Sequence, residues 1–156
     1  SERAMLLLAD SRDMAEHEFG MFTGSAARLA ESFWPGSLTM VLRPSRTFPD
    51  YLYGPTGGIA IRVSVSALCR KLISAFGRPI ISTSANVSGE PVVSSYEDAV
   101  KQFGTEADLV VEGEGMLGIP STVIDMTSGN PVLIREGAVP FTRIMEPIAE
   151  RLWQNW

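Results

Sequence analysis

The chain has 156 residues, and at about 150 residues per domain the expectation is one domain over residues 1–156. Hydrophobic residues at 45% and charged residues at 20% describe an ordinary globular composition. Thirteen Lys and Arg against eighteen Asp and Glu leave a net charge of −5, which argues against duplex DNA or a membrane surface as the partner, because both are bound through a basic face. The apolar run Ala4 to Ala9 falls far short of the ~20 residues that span a bilayer. No basic stretch leads into an apolar one at the start, so a cytoplasmic location is expected. Cys69 is the only cysteine, so no internal disulfide forms, and no Cys/His cluster offers a zinc site.

In chain order, Ala4 to Ala9 reads as a buried strand, and Asp10-Ser11 can cap a helix reaching Phe19. A second helix spans about Ser25 to Phe33, with Ala26, Leu29, Ala30 and Phe33 at helical spacing, and Trp34-Pro35-Gly36 stops it. Leu38 to Leu42 and Ile59 to Val63 read as strands around a Pro/Gly/Tyr-rich loop. The clearest helix runs from about Val65 to Phe76, with Leu68, Leu72, Ile73 and Phe76 on one face. Gly77-Arg78-Pro79 then leads into an apolar strand, Ile80-Ile81, expected to be buried, and a polar loop over Ser82 to Pro91. A short helix over Tyr96 to Phe103 follows, then strands at Leu109 to Val111, Ser121 to Met126 and Val132 to Arg135, and a last helix over about Thr142 to Trp153. Helices alternate with strands early and strands pair locally late, which predicts an α/β domain built on a twisted mixed sheet with flanking helices.

Three features invite chemistry. Ser82-Thr-Ser84-Ala-Asn86-Val-Ser-Gly89 directly follows a strand, so it is expected at a strand's carboxyl end, where open α/β sheets bind ligands. Its hydroxyls, carboxamide and glycine suit phosphate oxygens, although a Ser/Asn turn satisfying its own backbone has the same composition. Arg62 and Arg135 lie in otherwise apolar strands, where a guanidinium costs desolvation unless it meets an anion or opens to water. The planar fork of arginine suits carboxylates and phosphates. Gly113 to Gly118, before Ser121, is neither a Walker loop nor a dinucleotide fingerprint, and reads as a loop over a ligand or an ordinary connection. The single histidine, His17, lies in a polar helix and reads as a surface residue, and Cys69 reads as a small core residue.

Five segments occur in order: Phe33-Trp-Pro-Gly-Ser-Leu-Thr39, Ile59-Ala-Ile-Arg-Val63, Ser82 to Gly89, Pro120-Ser-Thr-Val-Ile-Asp125 and Ile134-Arg-Glu-Gly-Ala138. Together they resemble the YrdC-type threonylcarbamoyl-AMP synthase family. The resemblance implies a YrdC-like twisted α/β fold with a concave, positively charged cleft. It also implies a nucleotidyl transfer in which L-threonine, bicarbonate and ATP give threonylcarbamoyl-AMP and pyrophosphate, feeding the threonylcarbamoyladenosine modification of tRNA. On this resemblance Arg3, Gly58, Ser84, Asn86, Val92 and Arg135 are nucleotide-binding positions, and Arg62, Ser82 and Ser121 hold the threonine moiety. Mg²⁺ accompanies the ATP phosphates, and partner proteins of tRNA modification are implied. The rival reading is a non-catalytic RNA- or nucleotide-binding module of the same fold.

The family's opening strand, its Pro-Thr-Glu-Thr-x-Tyr-Gly-Leu-type segment and its Lys-x-Arg element are not in this sequence. The expectation is that this chain alone turns over negligibly, and that exposed apolar surface favours a partner chain or a homodimer.

Overall fold

The computed structural model describes residues 5–87, 89–113 and 119–153, the last four by their backbone alone. Two compact units emerge, Thr83–Gly118 and the segments flanking it on either side.

The larger unit is built on a six-stranded mixed sheet. Its strands are β1 (Leu6–Ala9), β2 (Leu38–Leu42), β3 (Ile59–Val63), β4 (Ile80–Ser82), β5 (Thr122–Asp125) and β6 (Val132–Arg135), in the order β4-β1-β3-β2-β5-β6. β1 runs parallel to β3 and β2 parallel to β5, while β1–β4, β2–β3 and β5–β6 are antiparallel. The mixed sheet expected from the alternation of elements is therefore present.

Helices α1 (Arg12–Phe19), α2 (Gly24–Phe33), α3 (Ala67–Phe76) and α5 (Phe141–Trp153) belong to this unit. Ser11 caps α1 by accepting the Met14 N–H at 3.1 Å. Trp34 ends α2 and donates its indole N–H to the Leu38 carbonyl at 2.7 Å, tying the helix end to the start of β2. α3 begins two residues later than expected. Arg70 donates to the carbonyls of Ser64 and Val65, and the Ser66 hydroxyl caps the helix at Cys69.

Because side chains alternate along a strand, the sheet has two distinct faces. One carries Leu7, Ala9, Leu38, Met40, Leu42, Ile59, Ile61, Val63 and Ile124. These join Ala15 and Phe19 of α1, Leu29 and Ala30 of α2 and Ile144 of α5 in one apolar core. At about 1.5–3 kcal/mol per buried large apolar side chain, this face dominates the stability of the unit.

Several expectations fail. β4, expected to be buried, is an edge strand with Ile81 46% exposed; β6, a strand as expected, lies at the opposite edge with every residue exposed. Along α3 only Ile73 is buried; Leu68, Leu72 and Phe76 stand exposed despite their helical spacing. Cys69 is half-buried, not a core residue. Leu109 to Val111 form no strand: Leu109 is 73% exposed, and three residues give too few ladder hydrogen bonds to order an unpaired segment.

The smaller unit holds the Thr83–Pro91 loop and helix α4 (Tyr96–Phe103), capped by the Ser95 hydroxyl on the Asp98 N–H at 3.0 Å. Among the described residues no helix is long and apolar enough to cross a membrane.

Candidate active site

The second face of the sheet carries the polar groups. Leu6 pairs with Ser82, and Leu8 with Arg62 and Ile80, so Ser82 and Arg62 point the same way. Met40 pairs with Ile61, and the next step of that register sets Thr39 level with Arg62. Thr39 pairs in turn with Val123, and Val123 with Arg135. One row across four strands thus reads Arg62, Thr39, Val123, Arg135, all facing away from the helical core. Ser121 joins it through its hydroxyl, 2.9 Å from that of Thr39. Residues scattered from position 39 to position 135 converge here because register, not sequence proximity, decides which side chains share a face.

Arg62 is the central cation. Its Nε is buried and hydrogen bonds to no group among the described residues. Burial is the main influence on the guanidinium and lowers its pKa; Cys69 of α3 opposes that, and Arg135 adds to it. Two arginines therefore lie within electrostatic reach of each other, and among the described residues neither forms an ion pair. Like charges left together without a carboxylate are what an anion-binding surface requires. The desolvation argument made for both arginines holds only for Arg62, since Arg135 sits on the exposed edge strand.

Arg135 is held from behind. It donates to the Ser121 carbonyl at 2.8 Å. The turn after it is strapped by Thr122, whose fully buried hydroxyl donates to the Val139 carbonyl and accepts the N–H groups of Gly137 and Val139. A Cβ on Gly137 would stand 2.0 Å from the Pro120 carbonyl oxygen, so only glycine lets these two segments touch. Gly58 is equally confined, its missing Cβ 2.6 Å from both Val41 Cγ1 and Thr127 Cγ2. Beside Thr127, Asp125 Oδ1 accepts the Thr127 N–H at 2.7 Å and its hydroxyl at 2.6 Å. Burial works to raise the Asp125 pKa. The Thr127 hydroxyl and N–H, with the Thr56 hydroxyl and Arg43, outweigh it, and the carboxyl stays below its ordinary value.

The larger unit therefore gathers Arg62, Ser82, Ser121, Arg135 and Gly58 on one face of its sheet. Ser84, Asn86 and Val92 belong to the smaller unit, where Val92 is exposed. There the Asn86 amide donates to the carbonyls of Val87 at 3.1 Å and Glu90 at 2.9 Å, and the Val93 N–H reaches the Ala85 carbonyl. The asparagine thus closes its own loop, and among the described residues neither its side-chain oxygen nor the Ser84 hydroxyl has a hydrogen-bond partner. Arg3 lies outside the described residues. Thr39, Thr122 and Cys69 also surround the site without having been assigned a role. Both threonines stand in the family-like segments, but threonine is common in strands, and only the pairing shows what Thr39 and Thr122 touch. No group of three or more His, Cys, Asp or Glu among the described residues forms a metal site.

The sequence matches, over residues 1–137, the Sua5/YciO/YrdC family model described as "Telomere recombination". The threonylcarbamoyl-AMP synthase of Pyrococcus abyssi is 38% identical over 126 residues, covering 80% of this chain and 37% of that protein. Its counterpart from Buchnera aphidicola is 40% identical over 111 residues, covering 70% and 58%. The crystal structure of P. abyssi Sua5 complexed with L-threonine superposes with a TM-score of 0.83 at 33% identity, over 96% of this chain and 44% of that one. The chain thus spans 37% and 58% of the lengths of these two relatives.

Proposed function

This chain belongs to the Sua5/YciO/YrdC family, and on that premise we propose that it carries the threonine- and nucleotide-handling face of a threonylcarbamoyl-AMP synthase. The observation that carries the reading is the half-buried Arg62, whose buried Nε has no partner among the described residues, beside Arg135 and the Thr39–Ser121 hydroxyl pair. A guanidinium whose Nε is shielded from water without a protein acceptor is ready for a carboxylate, and its fork favours bidentate binding.

In this reading Arg62 takes the threonine carboxylate, and Ser121 and Ser82 hydrogen bond to the rest of the amino acid. Arg135 meets the nucleotide, with Gly58 giving it room, and Ser84, Asn86, Val92 and Arg3 contribute further contacts. The threonine amine condenses with bicarbonate to a carbamate, releasing water. A carbamate oxygen then attacks the α-phosphorus of ATP, forming the P–O bond as pyrophosphate leaves. Such a transfer depends on positioning and charge stabilisation more than on a strong base, which suits a face of arginines and hydroxyls. Mg²⁺ enters as part of the nucleotide substrate, held by phosphate oxygens and water. The product passes to the partner proteins that complete the tRNA modification in the cytoplasm.

The test is pyrophosphate release from ATP by the full-length protein. We expect release to require both threonine and bicarbonate, and Arg62→Lys to raise the KM for threonine at least tenfold while changing that for ATP about twofold, because an ammonium cannot reproduce the bidentate fork. Nucleotide or RNA binding without threonine-dependent release would overturn the proposal in favour of a non-catalytic module.

A further inference from the structure

Ser121 is held in two separate ways. Its backbone is fixed by the Arg135 guanidinium on its carbonyl at 2.8 Å and by the following residue, whose N–H donates to the Ser37 carbonyl at 3.0 Å. Its hydroxyl is fixed by another element, the Thr39 hydroxyl of β2 at 2.9 Å, across 82 positions of sequence. Thr39 is 2% exposed and Ser121 8% exposed. Among the described residues each hydroxyl is the other's only side-chain hydrogen-bond partner.

A serine hydroxyl has one proton and two lone pairs and rotates among three staggered positions. A short bond to a buried hydroxyl on a sheet strand selects one of those positions and leaves the remaining bonding direction for a ligand. β-Branched Thr39 has restricted rotamers of its own, so the constraint it passes on is stiff. Without Thr39 Oγ1 the backbone anchors of Ser121 persist, while the hydroxyl turns freely or towards the backbone.

We propose that Thr39 is a positioning residue of the threonine subsite, aiming the Ser121 hydroxyl at the bound amino acid without touching it. This rests on the proposed function, in which Ser121 contacts threonine. It goes further by making amino-acid recognition depend on a hydrogen bond between two strands of the sheet.

The experiment uses steady-state pyrophosphate release by the full-length protein with Thr39→Val, Thr39→Ser, Ser121→Ala and the Val/Ala double variant, each checked by thermal melt. Thr39→Val should raise the KM for threonine about five- to tenfold, the worth of one oriented hydrogen bond, and move the KM for ATP less than about twofold. Thr39→Ser, which keeps the hydroxyl, should stay within about twofold of wild type. The double variant should be no worse than Ser121→Ala alone, since residues acting through one contact are non-additive. Equal rises in both KM values, additive losses in the double variant, or Thr39→Ser failing like Thr39→Val would overturn the proposal. Thr39→Ala replaces Thr39→Val should the latter not fold, and a chain that folds with neither also overturns it, because Thr39 then serves the sheet. Wild-type protein that releases pyrophosphate without threonine would refute the proposed function itself, an outcome distinct from a threonine-dependent enzyme indifferent to Thr39.

Discussion

Replacing Arg62 by methionine should make the ligand-free protein more stable and, on the proposed function, remove the affinity for threonine expected of it. In the free protein the Arg62 Nε is buried with no acceptor among the described residues, and the guanidinium lies near Arg135. A buried donor left without a partner costs about 1–3 kcal/mol. Methionine keeps an unbranched stem for packing and drops both the unsatisfied donor and the like-charge repulsion. A gain of about 1–2 kcal/mol is expected, which for a protein of this length raises Tm by roughly 2–6 °C. Urea unfolding measures the gain directly, and calorimetric titration with threonine measures the loss. Added threonine should raise the Tm of wild type and leave that of the variant unmoved, because only a binder of the folded state stabilises it. A variant more than about 1 kcal/mol less stable than wild type would refute this reasoning, since Arg62 would then be serving the fold.

Two further outcomes follow from close contacts on the same face. Gly137→Ala should destabilise by about 2–3 kcal/mol in urea unfolding, because its Cβ meets the Pro120 carbonyl at 2.0 Å, and it should weaken ATP binding through the displaced Arg135. Asp125→Asn should cost about 1–2 kcal/mol at neutral pH through weakened charge-assisted bonds from Thr127. The folded-state pKa of Asp125 is depressed below the ordinary 3.8, so its contribution is present above that value and fades as pH falls through the folded pKa. The gap between wild type and variant should therefore close in acid; a gap that persists at pH 2 would show that packing, not charge, is at stake.

Much of the frame is written locally. α4 spans the expected Tyr96 to Phe103, and β2, β3 and β6 keep their expected bounds, because caps and apolar alternation act over a few residues. Exposure was less legible: β6 and the Leu68, Leu72 and Phe76 face of α3 are as apolar as buried elements and still meet solvent. Position at a sheet edge, or the lack of a covering neighbour, is a property of the assembled unit.

The candidate site divides along the same line. Sequence alone determined which groups are available: two strand arginines, the Ser/Asn loop, and the Ser121 segment with the motifs that place the chain in its family. Only the tertiary structure decided that the Arg62 Nε lacks a partner among the described residues while Arg135 lies at an exposed edge, that Asn86 spends its amide on its own loop, and that Thr39 reaches Ser121. The physical reason is strand register. A side chain's type is set by its codon, but its face, burial and hydrogen-bond partner depend on which residue of a neighbouring strand it pairs with, and a slip of one position would turn Arg62 into the core.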